Sequence, residues 1–259
     1  ARTLRVESAR PDRFSGALHH YRGRVLPPMV RGIAGVDSVI QGEGDLAIPD
    51  MIRDGPRLGV VPARPMIANL DHAPMARWDL MPLRKSLWFP GRFTGSVETS
   101  RGCPYDCNFC AITSFWQRTF RRKSPERIVT EMQVLASSGR SHIYLADDNF
   151  GMGEKHHTDL FELILKRKLD VRFFAQMRTD TIANHPDMMA LAARAGLYGA
   201  LIGYDTYDPA TFHHIAKVGS IDLNERCTEV MRRNKLMIFG SHIYGLPSQA
   251  KPQDFAPTF

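Results

Sequence analysis

Three of the chain's four cysteines lie within eight residues, in the stretch TSRGCPYDCNFCAIT. Cys103, Cys107 and Cys110 follow the spacing C-x-x-x-C-x-x-C. A structural zinc site normally has four ligands, often from two C-x-x-C pairs, and only one such pair is present. A 4Fe–4S cluster is also normally held by four cysteines, so three leave one iron open to an outside ligand. The spacing therefore favours a cluster that binds another molecule over one that only carries electrons.

The composition sets limits on the compartment and on the partners. The chain has 259 residues, a formal net charge of +7, 43% hydrophobic residues and 24% charged residues. Clustered cysteines do not resemble a disulfide framework, so we expect a metal site in a reducing cytoplasm. No apolar run reaches the roughly 18 residues of a membrane span, and no signal peptide is recognisable. The positive charge suits an anionic partner, although dispersed Lys and Arg residues equally describe a solvated surface.

Short apolar runs alternate with helical patterns from about Phe93 onward. They predict five strands, at Gly95–Ser100, His142–Asp147, Val171–Met177, Tyr198–Tyr204 and Met237–Gly245. Helices of ten or more residues between strands imply right-handed crossovers and a parallel sheet, hence an α/β fold. Functional side chains gather at the carboxyl ends of such strands. The polar residues at these ends are Cys103, Asp147, Asp148, Arg178 and Asp205.

The first ninety residues have a different pattern. GVDSVIQGEGDLAIPDMI predicts a strand, a Gly-rich turn and a helix, and a Pro-rich stretch of about thirty residues follows it. Such a stretch predicts a linker over the surface. We therefore expect a partial domain at 1–60, a linker at 61–92 and the strand–helix core at 93–259.

The cysteine motif, with Phe109 just before its last cysteine, resembles the radical S-adenosylmethionine (SAM) superfamily. The later strand ends LADDNF, RTDTI, IGYDT and SHIYGLPS resemble that family's motifs as well. In the third of these, Asp205 and Thr206 replace the family's Glu and Ser; in the fourth, Ser241 and Ser248 replace Gly and Glu. The resemblance implies a six-stranded (β/α)6 barrel, of which five strands are visible. The chain is therefore expected to be an excerpt cut at both ends.

The resemblance also implies the cofactors and their ligands. Cys103, Cys107 and Cys110 would hold a 4Fe–4S cluster whose fourth iron binds SAM. The residues implied to contact SAM are Phe109, Asp148, Arg178, Asp205, Thr206, Ile243, Tyr244 and Gly245.

Each of these residues has an implied partner on SAM. Asp148 would bind the amino group, while Asp205 and Thr206 would bind the ribose. Arg178 would pair with the carboxylate, since its planar fork suits that group, or form a structural ion pair. The aromatic residues Phe109 and Tyr244 would flank the adenine or simply pack in the core. Asp147 is expected only to cap its strand.

A subgroup with an N-terminal cobalamin-binding domain is similar in further detail. Its members share an R-G-C-P start and an F-W-x-x-x-x-R-x-x-x-P stretch. The stretch VDSVIQGEGDLAIPDMI resembles the V-V-x-G-E-G-E segment near the end of their cobalamin domain, so residues 1–60 would be an incomplete remnant of that doubly wound domain. The residues that match the F-W stretch are Phe115, Trp116, Arg121 and Pro125. The cobalamin signature D-x-H-x-x-G is missing, because Leu18 stands where the Asp would precede His20.

The implied reaction is reductive cleavage of SAM, with an electron from a donor such as flavodoxin or ferredoxin, followed by C-methylation or oxidative cyclisation. An anionic, flat small molecule would suit the aromatic and basic run at 115–122, although a packed aromatic pair with a solvated edge is equally consistent. A radical SAM enzyme without cobalamin that acts on RNA or protein is an alternative. RNA methylthiotransferases carry three further upstream cysteines, and this chain has no cysteine before Cys103. A non-catalytic metal module would need a fourth ligand.

Overall fold

The computed structural model describes residues 38–40, 42–55, 57–62, 64–81, 87–89 and 92–243. It divides the chain into two compact units, Ala1–Ala68 and Asn69–Phe259. The division falls inside the segment that the sequence predicts as a linker. Of the candidate site residues, Tyr244 and Gly245 lie outside the described residues.

The first unit contains a β–α–β arrangement. Strand β1 (Ser38–Ile40) is followed by helix α1 (Gly44–Asp54) and by strand β2 (Gly59–Val61), which pairs with β1 in parallel. Gly42 has a φ of +77°, so the turn before α1 uses a conformation that glycine tolerates best. The predicted strand, Gly-rich turn and helix are confirmed, and the unit's small core consists of Ile40, Ala47 and Val61.

The second unit carries the repeated strand–helix pattern. Its elements are β3 (Leu87–Phe89), β4 (Arg92–Val97), β5 (Ser100–Gly102), α2 (Ala111–Trp116), β6 (Phe120–Arg122), α3 (Pro125–Ser137), β7 (His142–Phe150), α4 (Glu154–Lys166), β8 (Arg172–Arg178), α5 (Thr179–Asn184), α6 (Pro186–Ala195), β9 (Leu197–Asp205), α7 (Pro209–His214), α8 (Ile221–Arg233) and β10 (Met237–His242). Two 3-10 helices, Leu70–His72 and Trp78–Leu80, precede them.

One six-stranded sheet, in the order β10-β9-β8-β7-β4-β3, forms the centre of this unit. Five neighbouring strands, β4 and β7 to β10, pair in parallel, and β3 is antiparallel to β4. Strands β5 and β6 form a separate antiparallel ribbon. The predicted α/β fold with five parallel strands is therefore confirmed as a partial barrel.

Local sequence signals explain where the helices begin and end. Ser124 caps α3, because its hydroxyl accepts from the Arg127 N–H at 3.2 Å, and Pro125 fills the first helical position. Gly196 ends α6 with a φ of +115°, and a Cβ there would lie 2.2 Å from the Val171 carbonyl oxygen. Both are local signals, because each depends on one residue and its immediate neighbours.

The hydrophobic core lies between the sheet and the helices on one of its faces. Ile128, Met132 and Leu135 form an apolar stripe on α3 that is fully buried. Phe161 of α4 stacks on Phe173 of β8 with ring centroids 6.1 Å apart. Burying such side chains contributes roughly 1.5–3 kcal/mol each, which fixes the strands and therefore their carboxyl ends.

The first predicted strand was wrong in its bounds. The sequence predicted Gly95–Ser100, whereas β4 ends at Val97 and the chain turns before β5. The reason is tertiary, since Thr99 and Ser100 bind a side chain of β7 instead of continuing the sheet.

The predicted linker contains more structure than its Pro-rich composition indicates. Leu70 is fully buried in the second unit. The Asp71 carboxylate accepts from the Ser124 N–H at 2.8 Å, and Arg127 donates to the Ala73 carbonyl at 2.8 Å. This part of the segment is therefore held against the start of α3. No helix among the described residues is both long and apolar enough to cross a membrane.

Candidate functional site

The loop between β5 and α2 carries the three clustered cysteines. All are free thiols; Cys107 is buried, while Cys103 and Cys110 are half-buried. The Cys110 N–H donates to the Cys107 carbonyl at 3.0 Å, and the Asn108 N–H donates to the Ile215 carbonyl at 3.2 Å. These two bonds shape the loop and connect it to the segment after α7.

The stem of this loop is tied to β7 by Asp147. Its carboxylate is fully buried and accepts from the Thr99 N–H at 2.6 Å, from the Thr99 hydroxyl, and from the Ser100 hydroxyl at 2.7 Å. Burial raises the pKa of Asp147, and the hydrogen bonds oppose that rise. Its predicted role as a structural group at the strand end agrees with this geometry.

Asp148, the predicted ligand of the SAM amino group, also binds the stem of the cysteine loop. Its carboxylate accepts from the Gly102 N–H at 3.0 Å and from the Trp116 indole. It is half-buried, and burial raises its pKa. The residue therefore lies next to the cysteine loop, and its role toward SAM stays a prediction.

Asn149 approaches the first cysteine, although the sequence did not single it out. Its amide nitrogen lies 3.7 Å from the Cys103 sulfur, within reach of a weak N–H···S contact. Its buried side-chain oxygen has no hydrogen-bond partner among the described residues. The signal in the sequence is its position, directly after Asp147 and Asp148 at the end of a predicted strand.

Arg178 ends β8 beside the second cysteine. Its guanidinium forms a two-pronged ion pair with Asp180, at 2.9 and 3.0 Å, and also donates to the Val218 carbonyl at 2.9 Å. Its Nη1 lies 3.9 Å from the Cys107 sulfur. The structural ion pair considered from the sequence is present, while pairing with the SAM carboxylate stays a prediction.

Tyr105, inside the cysteine motif, completes this contact. Its ring centroid lies 3.7 Å from the guanidinium carbon of Arg178, and its hydroxyl donates to the Asp180 carboxylate at 3.2 Å. The sequence did not identify Tyr105 or Asp180, because their roles depend on contacts across more than seventy residues of chain.

The end of β9 is organised by a buried lysine. Lys217 forms an ion pair with Asp205 and donates to the Gly203 carbonyl at 2.5 Å. Asp205 has a φ of +58°, a left-handed conformation that Asp tolerates better than most residues. Lys217 was not predicted, because nothing in the local pattern distinguishes it from a surface lysine.

Other contacts hold the rest of this strand end. The buried Asn224 donates to the carbonyls of Tyr204 and Thr206, at 3.3 and 3.1 Å. The Ile243 N–H donates to the Asp205 carbonyl at 2.8 Å. Phe109, the predicted adenine neighbour, is 46% exposed. The roles of Thr206, Ile243 and Phe109 toward SAM stay predictions.

The turn after β7 is shaped by a buried histidine. His157 accepts from the Gly151 N–H at 3.2 Å through Nε2, and its Nδ1 lies 3.1 Å from the Gly153 carbonyl oxygen. Burial lowers the pKa of His157 to about 4. The ring is therefore neutral at pH 7, with its proton on Nδ1, where it can donate to that oxygen.

Part of the aromatic and basic run at 115–122 is packed against itself. The Phe115 and Trp116 rings meet edge to face at 4.5 Å, and Arg121 lies over the Trp116 ring at 5.3 Å. Arg118 forms an exposed ion pair with Asp106. These contacts match the alternative of a packed aromatic pair with a charged edge.

Comparison with known proteins decides the family. The model of the Radical SAM superfamily matches residues 97–251, which is more than half of the chain and includes the cysteine loop and the ends of β7, β8 and β9. The chain belongs to the radical SAM superfamily. Radical SAM enzymes bind a 4Fe–4S cluster and SAM.

Relatives of this radical SAM chain include cyclases and methylases. It is 24% identical over 239 residues to the anaerobic magnesium-protoporphyrin IX monomethyl ester cyclase of Synechocystis sp., covering 85% of the chain and 47% of that relative. It is 26% identical over 212 residues to the hopanoid C-3 methylase of Methylococcus capsulatus, covering 76% of the chain and 40% of the methylase. The chain spans about half the length of the curated relatives it matches.

A solved structure shares the fold. The cobalamin-dependent SAM radical enzyme OxsB with aqua-cobalamin bound matches with a TM-score of 0.67 and 18% identity, covering 84% of this chain and 34% of OxsB. The expected resemblance to the cobalamin-associated radical SAM group is therefore confirmed as a similarity of sequence and a shared fold.

The donor set of the cysteine loop fits an iron–sulfur cluster. Within the described ranges, no three His, Cys, Asp or Glu side chains converge closely enough to hold a metal ion. Nevertheless, three free thiols from one short loop are the ligands that such clusters use, and N–H donors from Asn149 and Arg178 lie beside two of them. The radical SAM residues present therefore agree with the cofactor that the family binds.

Proposed function

We propose that this chain is the SAM-cleaving part of a cobalamin-dependent radical SAM enzyme that methylates carbon or closes a ring oxidatively on a small molecule. The observation that carries the proposal is the loop of three free cysteines next to the carboxyl edge of five parallel strands, with Asn149 and Arg178 beside two of the sulfurs. When bound there, the cluster supplies the electron that breaks a carbon–sulfur bond of SAM.

The chain's own residues have distinct tasks in this function. Cys103, Cys107 and Cys110 hold the cluster and leave one iron for SAM. Asp148 and Asp205 occupy the strand-end positions at which the family binds the amino group and the ribose of SAM. We place the enzyme in the cytoplasm, with an external one-electron donor such as flavodoxin or ferredoxin.

The other candidate residues are proposed to contact the remaining groups of SAM. Thr206 and Ile243 contact the ribose and adenine, and Arg178 is a candidate for the SAM carboxylate. Phe109, Tyr244 and Gly245 are proposed to lie around the adenine. The net charge of +7 supports an anionic substrate.

Anaerobic reconstitution tests the proposal. After treatment with iron and sulfide, the protein should contain about four iron atoms per chain, and addition of SAM and a reductant should release 5′-deoxyadenosine. Replacement of Cys103, Cys107 or Cys110 by Ala should abolish both. Cys227, fully buried in α8, is the matched control, and Cys227→Ala should keep its iron. Loop variants that retain iron and cleave SAM would contradict the proposal.

The cobalamin part is tested separately in the full-length protein that contains this chain. A bound corrinoid, seen in the absorbance spectrum of the purified protein, supports a methylase or cyclase. A full-length protein that cleaves SAM but binds no cobalamin would instead favour the radical SAM group without this cofactor.

A further inference from the structure

Arg178 has most of its hydrogen-bonding capacity committed to the protein. Of its five N–H groups, one from Nε and one from Nη2 bind the two oxygens of Asp180, and a second from Nη2 binds the Val218 carbonyl. Nη1 faces the sulfur of Cys107 at 3.9 Å. The residue is 9% exposed, so these partners determine the orientation of its guanidinium.

The guanidinium of Arg178 also contacts the cysteine loop through Tyr105. This ring lies between Cys103 and Cys107 in the chain and stacks on Arg178, with 3.7 Å from the guanidinium carbon to the ring centroid. The Tyr105 hydroxyl donates to Asp180, which itself holds Arg178. Tyr105, Arg178 and Asp180 therefore form a closed clamp between the loop and the end of β8.

We propose that Arg178 is a positioning residue for the cluster. Arg178 holds Cys107 in place through this clamp and donates an N–H to the Cys107 sulfur. This inference rests on the proposed function. A donor to a cluster thiolate stabilises the additional negative charge of the reduced cluster, so it raises the reduction potential. Because Asp180 neutralises the charge of the guanidinium, the rise in reduction potential comes from the N–H that points at the sulfur and not from a net positive charge.

The decisive variant removes the donor at constant net charge. Arg178→Gln combined with Asp180→Asn deletes one positive and one negative charge together, and neither new amide is long enough to replace the fork. We expect the double variant to assemble the cluster with a midpoint potential more negative than that of the wild type, in a redox titration followed by electron paramagnetic resonance. A folded double variant with the wild-type potential would overturn the inference.

The chain offers a matched control on the same strand. Arg172 begins β8, at its opposite end, and also lies over a tyrosine ring, that of Tyr198 at 6.0 Å. Arg172→Gln should leave the potential unchanged. An equal shift in Arg172→Gln would show that any loss of arginine from β8 acts non-specifically, and it would overturn the assignment.

Two further variants separate positioning from misfolding. Tyr105→Phe keeps the ring under the guanidinium and should keep the wild-type potential, whereas Tyr105→Leu removes the ring and should shift the potential in the same direction as the double variant. If the double variant shows no cooperative unfolding transition and is therefore not folded, the test rests on Tyr105→Leu. An unchanged midpoint potential in Tyr105→Leu then overturns the inference. A folded double variant that loses iron supports seating of Cys107 by the clamp, provided that Arg172→Gln retains its iron.

The outcomes also distinguish this inference from the proposed function. A wild-type protein that assembles no cluster overturns both. A wild-type protein that assembles the cluster and cleaves SAM, with the same potential in the double variant, overturns only the role of Arg178.

Discussion

Thr99 donates two hydrogen bonds to Asp147, one from its backbone N–H at 2.6 Å and one from its hydroxyl. The contact joins the stem of the cysteine loop to the central strand β7, forty-eight residues later in the chain. It directs the chain out of the sheet after β4 and so determines where the cysteines begin.

Replacement of Asp147 by Ala should therefore destabilise the protein. It leaves the buried donors of Thr99 and Ser100 without an acceptor, which costs about 1–3 kcal/mol for each unsatisfied group. Asp147→Asn should cost less, because the two hydroxyls can rotate and accept from the new amide. Urea unfolding measures both losses. Asp148→Ala, at a half-buried position, is the control, and a loss as large as that of Asp147→Ala would contradict the assignment.

The buried pair of Lys217 and Asp205 predicts a large coupling energy. Lys217→Met leaves an unpaired carboxylate in a site where the two side chains are only 4% and 8% exposed. Removal of one partner from a buried pair costs roughly 3–5 kcal/mol. The double variant Lys217→Met with Asp205→Asn should be more stable than Lys217→Met alone, since no buried charge remains. Additive losses in this cycle, measured by chemical denaturation, would show that the two residues are not coupled.

His157 predicts a loss of stability toward acid. Its native pKa of about 4 lies below the ordinary value of 6.5, so the unfolded chain binds this proton first as the pH falls. The contribution of His157 to the free energy of unfolding is complete above pH 6.5. It declines as the pH falls toward 4, by roughly 3 kcal/mol in total.

A comparison of variants checks this dependence. His157→Gln should flatten the fall of the unfolding free energy between pH 6.5 and about 4, relative to the wild type. Burial also lowers the pKa of the half-buried neighbour His156, so His156→Gln should reduce this fall by less than His157→Gln does. Parallel curves for the wild type and His157→Gln would contradict the assignment of the acid sensitivity to His157.

Gly102 is predicted to be required by the loop geometry. It has a φ of +88°, and a Cβ there would lie 2.1 Å from the Thr119 carbonyl oxygen. Gly102→Ala should therefore force β5 and β6 apart, lower the melting temperature and reduce the iron bound after reconstitution. Gly55 has a φ of +98°, and a Cβ added there would meet nothing within 4 Å, so Gly55→Ala reports backbone strain alone, at about 1 kcal/mol. Equal effects on iron content would contradict the steric argument.

Much of the fold follows from local pattern. The alternation of apolar runs with amphipathic helices predicted the parallel sheet, because burying one face of each element requires that arrangement. The cap at Ser124 and the stop at Gly196 were predictable, because each depends on one residue and its immediate neighbours. The bounds of the first strand were not, since Asp147 competes for Thr99 from a distant part of the chain.

The candidate site divides in the same way. The sequence by itself determined the three cysteines and their spacing, because ligands on one short loop are visible as a local motif. Only the tertiary structure decided that Tyr105, Arg178 and Asp180 form one clamp and that Lys217 neutralises Asp205. Such partners are brought together by burial and by the pairing of strands. Neither of these produces a pattern of fixed spacing in the sequence.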